Sequence, residues 1–325
     1  MRVFVSGAGG FLGGQIVKSL VQAGHTVVAG VRRLPEQTSD SPSVSWWVGD
    51  LRHPVGLAES LAGVDCVIHA AAAKSGDLHE QLASTVVSTE TLFDTARAAL
   101  SVRRFVLISS FSVYDYDSIG PKSRLTEASP LIAAAMGRDA YAITKRLQES
   151  VVGVVPTAEL EVVVLRPGVI VGPNNWWSAR LGERFGGIWL CPGGHALVPI
   201  VTVENCAHAA VLACEAALTP SDEPTIVNLV DAKPPTQHEY LTWLKRKSPE
   251  TVRIVRIPLS SWRLLAILLE MLGNRSATGL KVPSYLTPGA INARFKPLRY
   301  DTQAAQQHLK WQPDKRFSDP VTVGW

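Results

Sequence analysis

Short apolar runs alternate with longer stretches in which apolar residues recur every three or four positions. The runs predict buried strands, and the periodic stretches predict helices that bury one face. Strands that alternate with helices imply a doubly wound α/β fold, in which helices cover both faces of a parallel sheet. We predict strands at 3–5, 26–31, 44–48, 66–68, 105–109, 162–165 and 225–230. We predict helices at 11–23, 57–61, 78–100, 141–155 and 204–218.

A glycine-rich turn follows the first predicted strand and opens the first predicted helix. Gly7 permits the tight turn, Gly10 lets the backbone approach a pyrophosphate, and Gly13 lets helix and strand pack closely. The start of the helix offers unpaired N–H groups and a partial positive charge to an anion. We therefore predict dinucleotide binding by Gly7, Gly9, Gly10, Phe11, Leu12 and Gly13.

The regular alternation weakens after residue 173, which suggests a division of the chain. We assign residues 1–173 and about 200–231 to a dinucleotide-binding domain. We assign about 174–199 and 232–325 to a smaller substrate-binding region. Within it, the apolar segment 262–272 is too short and too charged to span a bilayer, which takes about 20 apolar residues. We favour a core helix for this segment; a helix on a membrane surface and a helix that roofs an apolar cavity stay open.

Composition narrows the class of protein further. The 325 residues are 46% hydrophobic and 18% charged, with a net charge of +4. The chain carries no block of lysine and arginine, which argues against nucleic acid as a partner. Its four cysteines form no Cys-x-x-Cys pair, so we expect a reducing compartment and neither a disulfide framework nor a metal site. The chain begins on a predicted strand without a signal peptide, and we therefore expect a cytoplasmic protein.

Tyr141 and Lys145 lie four residues apart on a predicted helix, so the phenol and the ammonium share one face. A free tyrosine, with a pKa of about 10, is a poor acid or base at neutral pH. A nearby ammonium and the positive ring of an oxidised nicotinamide would lower that pKa. A polar cluster at 109–112 ends the preceding strand, where such sheets bind ligands. A hydroxyl there could hold a substrate carbonyl beside the tyrosine.

Taken together, the motifs of residues 1–230 resemble those of the extended short-chain dehydrogenases/reductases, within the NAD-dependent epimerase/dehydratase family. The resemblance implies a Rossmann-type sheet with a smaller C-terminal substrate domain, and an NAD(P)-dependent enzyme. The C-terminal runs 299–301 and 309–313 are also similar to this group. The motifs that carry the resemblance are Gly7-x-x-Gly10-x-x-Gly13, Gly49-Asp50-Leu51, Val67-Ile68-His69-Ala70-Ala71-Ala72, Ser109-Ser110-Phe111-Ser112-Val113-Tyr114, Tyr141-x-x-x-Lys145, and Leu165-Arg166-Pro167-Gly168 up to Gly172-Pro173.

The resemblance implies a role for each matched residue. Ser110, counted back from Val113-Tyr114, would supply the catalytic hydroxyl. Tyr141 would exchange a proton with the substrate oxygen, and Lys145 would bind the nicotinamide ribose and tune the tyrosine. The other implied cofactor contacts are Asp50 and Leu51 at the adenine, Ala70, Ala71 and Ala72 in the cleft, and Pro167 and Gly168 beside the nicotinamide. We also predict a cofactor contact by Ser109. The predicted substrate contacts are Ser110, Ser112, Trp176, Trp177 and Arg299.

Two positions depart from the family pattern. NAD-preferring relatives end the second strand with an acidic residue, whereas this chain has Val31 there, followed by Arg32 and Arg33. A guanidinium suits a 2′-phosphate, so we predict that Arg32 confers a preference for NADP(H), with NAD(H) as the second choice. The family's asparagine at the start of the long helix corresponds to Thr85, which puts a proton relay through that position in doubt.

The same scaffold serves reductases and nucleotide-sugar enzymes. Arg32 and the apolar segment 262–272 favour a reductase. So does the run 197–209, which resembles the 3β-hydroxysteroid dehydrogenase branch and has Val198 where sugar enzymes often carry an arginine. We therefore predict an NADP(H)-dependent oxidoreductase that interconverts a ketone and a secondary alcohol on an apolar, steroid-like or keto-acid-like substrate.

Two alternatives stay open. Some sugar epimerases use an arginine at the position of Arg299 to hold a diphosphate, which favours a nucleotide-sugar epimerase or dehydratase with bound NAD. A non-catalytic NADPH-binding regulator is disfavoured by the intact set of Ser110, Tyr141 and Lys145. In each case we predict a small-molecule substrate as the partner. A peripheral membrane contact through 262–272 stays open. Members of the family often pair through two long helices, which implies a homodimer.

Overall fold

The computed structural model describes residues 1–36, 41–133, 139–153, 160–185, 187–218, 223–248, 252–275 and 287–319. Its centre is a seven-stranded parallel sheet, which confirms the predicted α/β fold. Numbered in chain order among all strands, its members are β1 (Arg2–Ser6), β2 (Thr26–Val31), β3 (Val44–Val48), β4 (Cys66–His69), β5 (Arg104–Ile108), β7 (Glu161–Pro167) and β12 (Thr225–Leu229). They lie in the order β12-β7-β5-β4-β1-β2-β3.

The remaining described elements flank this sheet. The helices are α1 (Phe11–Gln22), α2 (Leu57–Ser60), α3 (Leu78–Gln81), α4 (Ser88–Ala98), α5 (Ala140–Gly153), α6 (Val203–Glu215), α7 (Gln237–Lys247), α8 (Leu259–Arg275), α9 (Pro288–Phe295) and α10 (Gln303–Leu309). Three small sheets pair β9 (Glu183–Phe185), β10 (Ile188–Pro192) and β13 (Arg253–Ile257); β8 (Val169–Val171) and β11 (Ile200–Thr202); and β6 (Arg124–Leu125) and β14 (Arg299–Tyr300).

Alternation along β1 explains why helices cover both faces. Val3 and Val5 point to one face, where they join a buried cluster with Ile16 and Leu20 of α1. Phe4 points to the other face and joins the cluster that contains the α4 side chains. Because successive side chains of a strand point to opposite faces, one fully apolar strand contributes to two cores.

The carboxyl ends of the strands meet at one edge of the sheet. The order reverses at β1, which has β2 on one side and β4 on the other. In open α/β sheets, ligands bind in the crevice at such a reversal. The glycine turn, the end of β4 and the polar cluster after β5 all lie at this edge.

The predicted helix 78–100 is interrupted by a π-helical turn over Leu82–Val87. Thr85 lies in this π-helical turn, and its Oγ1 accepts a hydrogen bond from the backbone N–H of Ala73, after β4, at 3.0 Å. Insertions of this kind often occur at functional sites. Helical periodicity in the sequence does not reveal them. The end of the predicted helix 141–155 falls on residues outside the described part.

The C-terminal residues depart from the predicted division of the chain. Ala305 and Leu309 of α10 and the neighbouring Trp311 are buried in the core cluster of the large sheet. The indole N–H of Trp311 donates to the carbonyl oxygen of Asn205 in α6 at 3.0 Å. These residues therefore complete the first domain, although they follow the substrate-binding region in sequence.

The apolar helix α8 is not the core helix that we favoured. Ala266 is buried, and Trp262 packs on the small cluster formed with α9. The outer face is exposed, because the large apolar side chains there have no covering element among the described residues. The exposed side chains are those of Leu264, Leu265, Ile267, Leu268 and Met271. A membrane surface and the roof of a cavity stay open as interpretations.

Candidate active site

The glycine turn after β1 forms a cradle that larger residues would fill. Gly7 has a φ of +69°, and a Cβ there would lie 2.9 Å from the backbone of Ala71. A Cβ on Gly13 would lie 2.0 Å from the carbonyl oxygen of Gly7. Gly10 caps α1 in an extended conformation and has no side chain to occupy the first N–H groups of the helix. Those groups and the helix dipole suit a pyrophosphate, so this turn fits the predicted dinucleotide.

The neighbouring strand ends complete the cradle. Ala70, Ala71 and Ala72 are partly buried after β4, and the N–H of Ala71 donates to the Ser6 hydroxyl at 3.3 Å. Small side chains there leave room beside the glycine turn. Arg32 follows β2 and is exposed, next to the buried Val31. Arg32 thus lies at the carboxyl end of β2, where the resemblance predicts a contact with the 2′-phosphate of NADP(H).

Asp50 and Leu51 follow β3. The Asp50 carboxylate accepts hydrogen bonds from the Arg52 guanidinium, one of them at 2.6 Å from Nη2, and these lower the pKa of Asp50 to about 2. Leu51 is buried in the core cluster of the second face. The predicted adenine contacts of these two residues stay a prediction.

Pro167 ends β7 and Gly168 follows it. A Cβ on Gly168 would lie 2.0 Å from the carbonyl oxygen of Pro199, so only glycine fits at this close approach. The Gly168 N–H donates to the carbonyl oxygen of Leu229 in β12 at 3.0 Å. This turn shapes the strand edge at the position where the nicotinamide is predicted.

Ser110 and Tyr141 come together at the end of β5. Ser110 caps the short 3-10 turn Phe111–Val113 in an extended conformation. Tyr141 lies in the first turn of α5 and is partly buried. Burial raises the pKa of Tyr141, and a hydrogen bond with the Ser110 side chain opposes this rise. The tyrosine therefore carries its proton at neutral pH, which suits a proton donor.

Lys145 lies beneath this tyrosine, as the spacing predicts. Its Nζ is 6.0 Å from the centroid of the Tyr141 ring. The ammonium donates to the carbonyl oxygen of Ile108 at 2.7 Å and to Gln148 Oε1 at 2.9 Å. Burial lowers the pKa of Lys145 to about 7, while Glu149 acts to raise it and Lys74 to lower it. Burial is the largest influence on the Tyr141 pKa and raises it. The lowering that we expected from Lys145 together with an oxidised nicotinamide stays a prediction.

A buried chain of hydrogen bonds links Lys145 to the glycine turn. Gln148 Nε2 donates to Thr89 Oγ1 at 2.6 Å. His69 Nε2 lies 2.9 Å from the same oxygen, and His69 Nδ1 lies 2.6 Å from the Ser6 hydroxyl. Thr89 donates its own hydrogen to the carbonyl oxygen of Thr85, so its oxygen accepts from both side chains. Burial, and to a smaller extent the charge of Lys145, lowers the pKa of His69 to about 3, so this histidine is neutral.

Sequence reasoning missed most of this chain of side chains. Gln148, Thr89 and His69 come from α5, α4 and β4, and a single sequence does not show that these elements meet. Thr85, at the family's asparagine position, contributes a backbone carbonyl oxygen to Thr89 and uses its hydroxyl for Ala73. The arrangement differs from a relay through an asparagine side chain, in line with the doubt expressed from the sequence.

The hydroxyl of Ser109 points away from the cleft. It donates to Glu149 Oε1 at 2.5 Å. Glu149 in turn pairs with Arg166 of β7, whose side chain is 1% exposed. Ser109 thus connects β5 to α5 and, through Glu149, to β7. This geometry argues against the predicted cofactor contact by the Ser109 side chain.

The five predicted substrate residues fall into different surroundings. Ser110 lies beside Tyr141, and the buried hydroxyl of Ser112 has no hydrogen-bond partner among the described residues, so both suit a ligand. Trp176 is 6% exposed and packs in the core against Trp243, with ring centroids 5.0 Å apart. Its ring therefore does not line an open pocket.

Trp177 and Arg299 also lie outside the immediate site. Trp177 packs edge-on against Trp189 at 5.0 Å, under the guanidinium of Arg184. Arg299 is exposed, whereas the next residue, Tyr300, is largely buried with its ring 5.7 Å from Phe111. Successive strand residues point to opposite sides, so Arg299 points away from Phe111, which the Tyr300 ring contacts.

The comparison with known proteins agrees with this geometry. The model of the NAD-dependent epimerase/dehydratase family matches residues 3–229. The chain therefore belongs to that family, and the resemblance inferred from its motifs is confirmed. This family is one of NAD(P)-dependent enzymes, and the prediction of an enzyme of that class is confirmed with it.

Similar proteins include two whose activities are named. A 2-alkyl-3-oxoalkanoate reductase of Stenotrophomonas maltophilia is 32% identical over 225 residues, 66% of each chain. A decarboxylating sterol-4-alpha-carboxylate 3-dehydrogenase of Mus musculus is 31% identical over 223 residues, 65% of this chain and 58% of the relative. The matched region thus spans somewhat more than half of these relatives.

Among solved structures, a UDP-glucuronic acid 4-epimerase from Bacillus cereus in complex with NAD superposes with a TM-score of 0.70. The two are 17% identical, and the match covers 98% of this chain and 95% of that one. At this identity the likeness establishes the fold. In the described part of the chain, no helix has both the length and the apolar character that a membrane crossing requires.

Proposed function

We propose that the protein is an NADP(H)-dependent oxidoreductase that interconverts a ketone and a secondary alcohol. One observation carries this proposal: the protonated, partly buried Tyr141 is hydrogen-bonded to Ser110 at the ligand-binding edge of the sheet, with the buried ammonium of Lys145 below it. A proton donor, a second hydroxyl and a cation in this order suit the reduction of a carbonyl group.

The residues act on the substrate oxygen. The hydroxyl groups of Ser110 and Tyr141 donate hydrogen bonds to the carbonyl oxygen and polarise it. When bound, the reduced cofactor supplies a hydride to the carbonyl carbon. Tyr141 transfers its proton to the oxygen as negative charge develops there, and Lys145 stabilises the phenolate that results. In the oxidative direction the same groups take the proton from the alcohol.

The choice of cofactor rests on the end of β2. Val31 is buried there, next to Gly9 of the glycine turn, and Arg32 follows it as an exposed residue. A guanidinium forms paired hydrogen bonds with phosphate, so we propose that NADPH binds more tightly than NADH. Titration of the protein with both cofactors tests this proposal. Tighter binding of NADH by the wild type, or an unchanged NADPH affinity in Arg32→Ala, would refute it. Arg97→Ala, on the exposed side of α4, is the matched control.

The proposed substrate is an apolar ketone or alcohol, of the steroid-like or keto-acid-like kind. The relatives named above act, by their names, on 2-alkyl-3-oxoalkanoates and on sterol-4-alpha-carboxylates. The exposed apolar face of α8 agrees with an apolar substrate, since large apolar side chains are costly to leave in water.

A nucleotide-sugar epimerase was the alternative, and Arg299 was the residue that favoured it. The side chain of Arg299 is exposed and points away from Tyr300 and Phe111, so no observation at the site supports a diphosphate clamp there. The cofactor content of the purified protein separates the two functions. Tightly retained NAD and conversion of a nucleotide sugar would indicate the epimerase, whereas an exchangeable site and NADPH oxidation with a ketone would indicate the reductase.

Two further expectations belong to this proposal. A homodimer, formed through two long helices, stays a prediction that light scattering tests. A cytoplasmic location also stays a prediction, to be tested by fractionation of the cells that make the protein.

A further inference from the structure

Arg180 is a partly buried cation that has no carboxylate partner within the described ranges of the chain. It lies in the 3-10 turn Ala179–Leu181, and its Nη2 donates to the Tyr116 hydroxyl at 2.7 Å. The guanidinium also lies over the Tyr116 ring, 5.2 Å from the centroid. No carboxylate of the described residues lies within ion-pair distance of Arg180.

The surroundings of this guanidinium are neutral. Burial acts to lower the pKa of Arg180, and the groups that act to raise that pKa are the phenols of Tyr116 and Tyr300. A phenol is uncharged at neutral pH, and burial raises the pKa of Tyr300 further. Proteins rarely bury an unpaired charge, because its lost hydration is not replaced. An anion from outside the chain would supply the missing charge.

The two carboxylates that act on the neighbouring Arg294 are committed to other groups. Glu183 accepts a hydrogen bond from Arg294 Nη1 at 3.2 Å. Asp139 caps α5 by accepting the backbone N–H of Ala142 at 3.0 Å. Burial is the main cause that lowers the pKa of Arg294; Glu183 and Asp139 act to raise it, and the charge of Arg180 acts to lower it.

Arg180 is connected to the catalytic residues through one side chain. The Tyr116 hydroxyl, which accepts from Arg180, donates to the carbonyl oxygen of Phe111 at 3.1 Å. Phe111 directly follows Ser110, the hydrogen-bond partner of Tyr141. The turn that carries Arg180 is itself fixed, because Gln237 Nε2 donates to the Arg180 carbonyl oxygen at 2.6 Å. Two hydrogen bonds therefore connect the guanidinium to Phe111, the residue that follows Ser110.

We propose that Arg180 binds a carboxylate of the substrate, which makes the substrate a 3-oxo acid or its 3-hydroxy counterpart. This inference rests on the function proposed above. A carboxylate two bonds from the reacting carbon is a short, planar group that a guanidinium engages with two parallel hydrogen bonds. An ester or an unsubstituted ketone would leave the cation unpaired, so the site selects acids over their esters.

Paired substrates provide the first test. The full-length protein with NADPH is assayed on 3-oxodecanoate and on methyl 3-oxodecanoate. Loss of a hydrogen-bonded charge pair in Arg180→Met lowers kcat/KM for the acid by about 10- to 100-fold, mainly through KM, and changes the value for the ester by less than about 3-fold. Arg184→Met, which removes a guanidinium lying over Trp177, is the matched control and leaves both values unchanged. Equal losses for acid and ester, or no loss, would overturn the proposal.

A binding measurement separates this inference from the proposed reaction. Calorimetric titration of the NADPH-loaded protein uses decanoate as the carboxylate probe and UDP as the phosphate probe. We expect decanoate to bind the wild type and to lose most of its affinity in Arg180→Met, even if no ketone is turned over. Decanoate that binds wild type and variant equally refutes the carboxylate site, whatever the turnover. UDP affinity that depends on Arg180, without a dependence for decanoate, refutes it in favour of a diphosphate site.

Folding of the variant is checked in the same samples. Arg180→Lys keeps the charge and loses the fork geometry, so it retains part of the preference for the acid. If Arg180→Met does not fold, Arg180→Lys decides the question: an unchanged ratio of acid to ester activity would refute the proposal. The affinity for NADPH, which Arg180 does not contact in this proposal, is expected to stay the same in all variants.

Discussion

Replacement of Glu149 by leucine tests the buried ion pair that supports the site from below. Glu149 of α5 meets Arg166 of β7 through two hydrogen bonds, Nε to Oε1 at 2.9 Å and Nη2 to Oε2 at 2.7 Å. The two side chains are 6% and 1% exposed. The substitution leaves the Arg166 guanidinium buried, with the Tyr114 hydroxyl and the backbone carbonyl oxygen of Glu127 as its remaining hydrogen-bond acceptors among the described residues.

The expected loss is large because the pair is almost fully shielded from water. Removal of one partner of a buried pair costs about 3–5 kcal/mol, mostly for the uncompensated charge. Proteins have a total stability of about 5–15 kcal/mol, so this single change removes a substantial part of it. The double substitution Glu149→Leu/Arg166→Leu removes both charges. We expect it to be more stable than the single Glu149→Leu variant.

Urea denaturation at pH 7, followed by circular dichroism, measures these differences. Glu161→Leu is the control, because it breaks the more exposed ion pair between Arg104 and Glu161, in which the carboxylate is 37% exposed. We expect the control to cost no more than about 1 kcal/mol. A cost of less than about 1 kcal/mol for Glu149→Leu, or strictly additive costs in the double variant, would refute the reasoning.

Three further predictions follow from single contacts. Gln148→Leu removes an acceptor of the Lys145 ammonium, so the Lys145 pKa falls below about 7 and the alkaline limb of the kcat/KM profile moves to lower pH; an unmoved limb would contradict this. Asp231 has a pKa raised to about 7 by burial, so the folded protein holds a proton that the unfolded chain releases, and stability falls as pH rises from about 4 to 7. Asp231→Asn abolishes that fall and raises stability at pH 8 by up to a few kcal/mol in thermal or urea unfolding, with little change at pH 4; parallel pH curves for both proteins would count against it. Gly13→Ala forces α1 away from the carbonyl oxygen of Gly7, so we expect the affinity for NADPH to fall by more than about 10-fold in a fluorescence titration. Gly24→Ala is the control: Gly24 borders open space and has a positive φ, so this substitution changes stability without changing the affinity for NADPH.

The strands, the glycine turn and the Tyr141–Lys145 pair could be predicted because each depends on a local pattern. Apolar runs specify buried strands, and a four-residue spacing specifies one face of a helix. The same locality explains the error at Trp176. A tryptophan in an irregular, glycine-rich region suggests a pocket, but the position of its ring is decided by Trp243, which lies in a different element.

Residues that act through tertiary contacts could not be found this way. Arg180 lies in the segment without periodicity, and its meaning depends on Tyr116 and Tyr300, which are distant in sequence. The same holds for Gln148, whose amide meets side chains from α4 and β4. For α8, the composition correctly indicated an apolar helix. The structure was needed to show that one face of this helix is buried and the other is exposed.

Single-turnover oxidation of NADPH by the Tyr141→Phe variant, with a 3-oxo acid as substrate, tests the central claim most directly. Phenylalanine keeps the ring and removes the proton that the mechanism requires. The account predicts a rate reduced by about 10²- to 10⁴-fold, with the dissociation constant of NADPH unchanged within about 2-fold. A variant that reduces the substrate at the wild-type rate would contradict it.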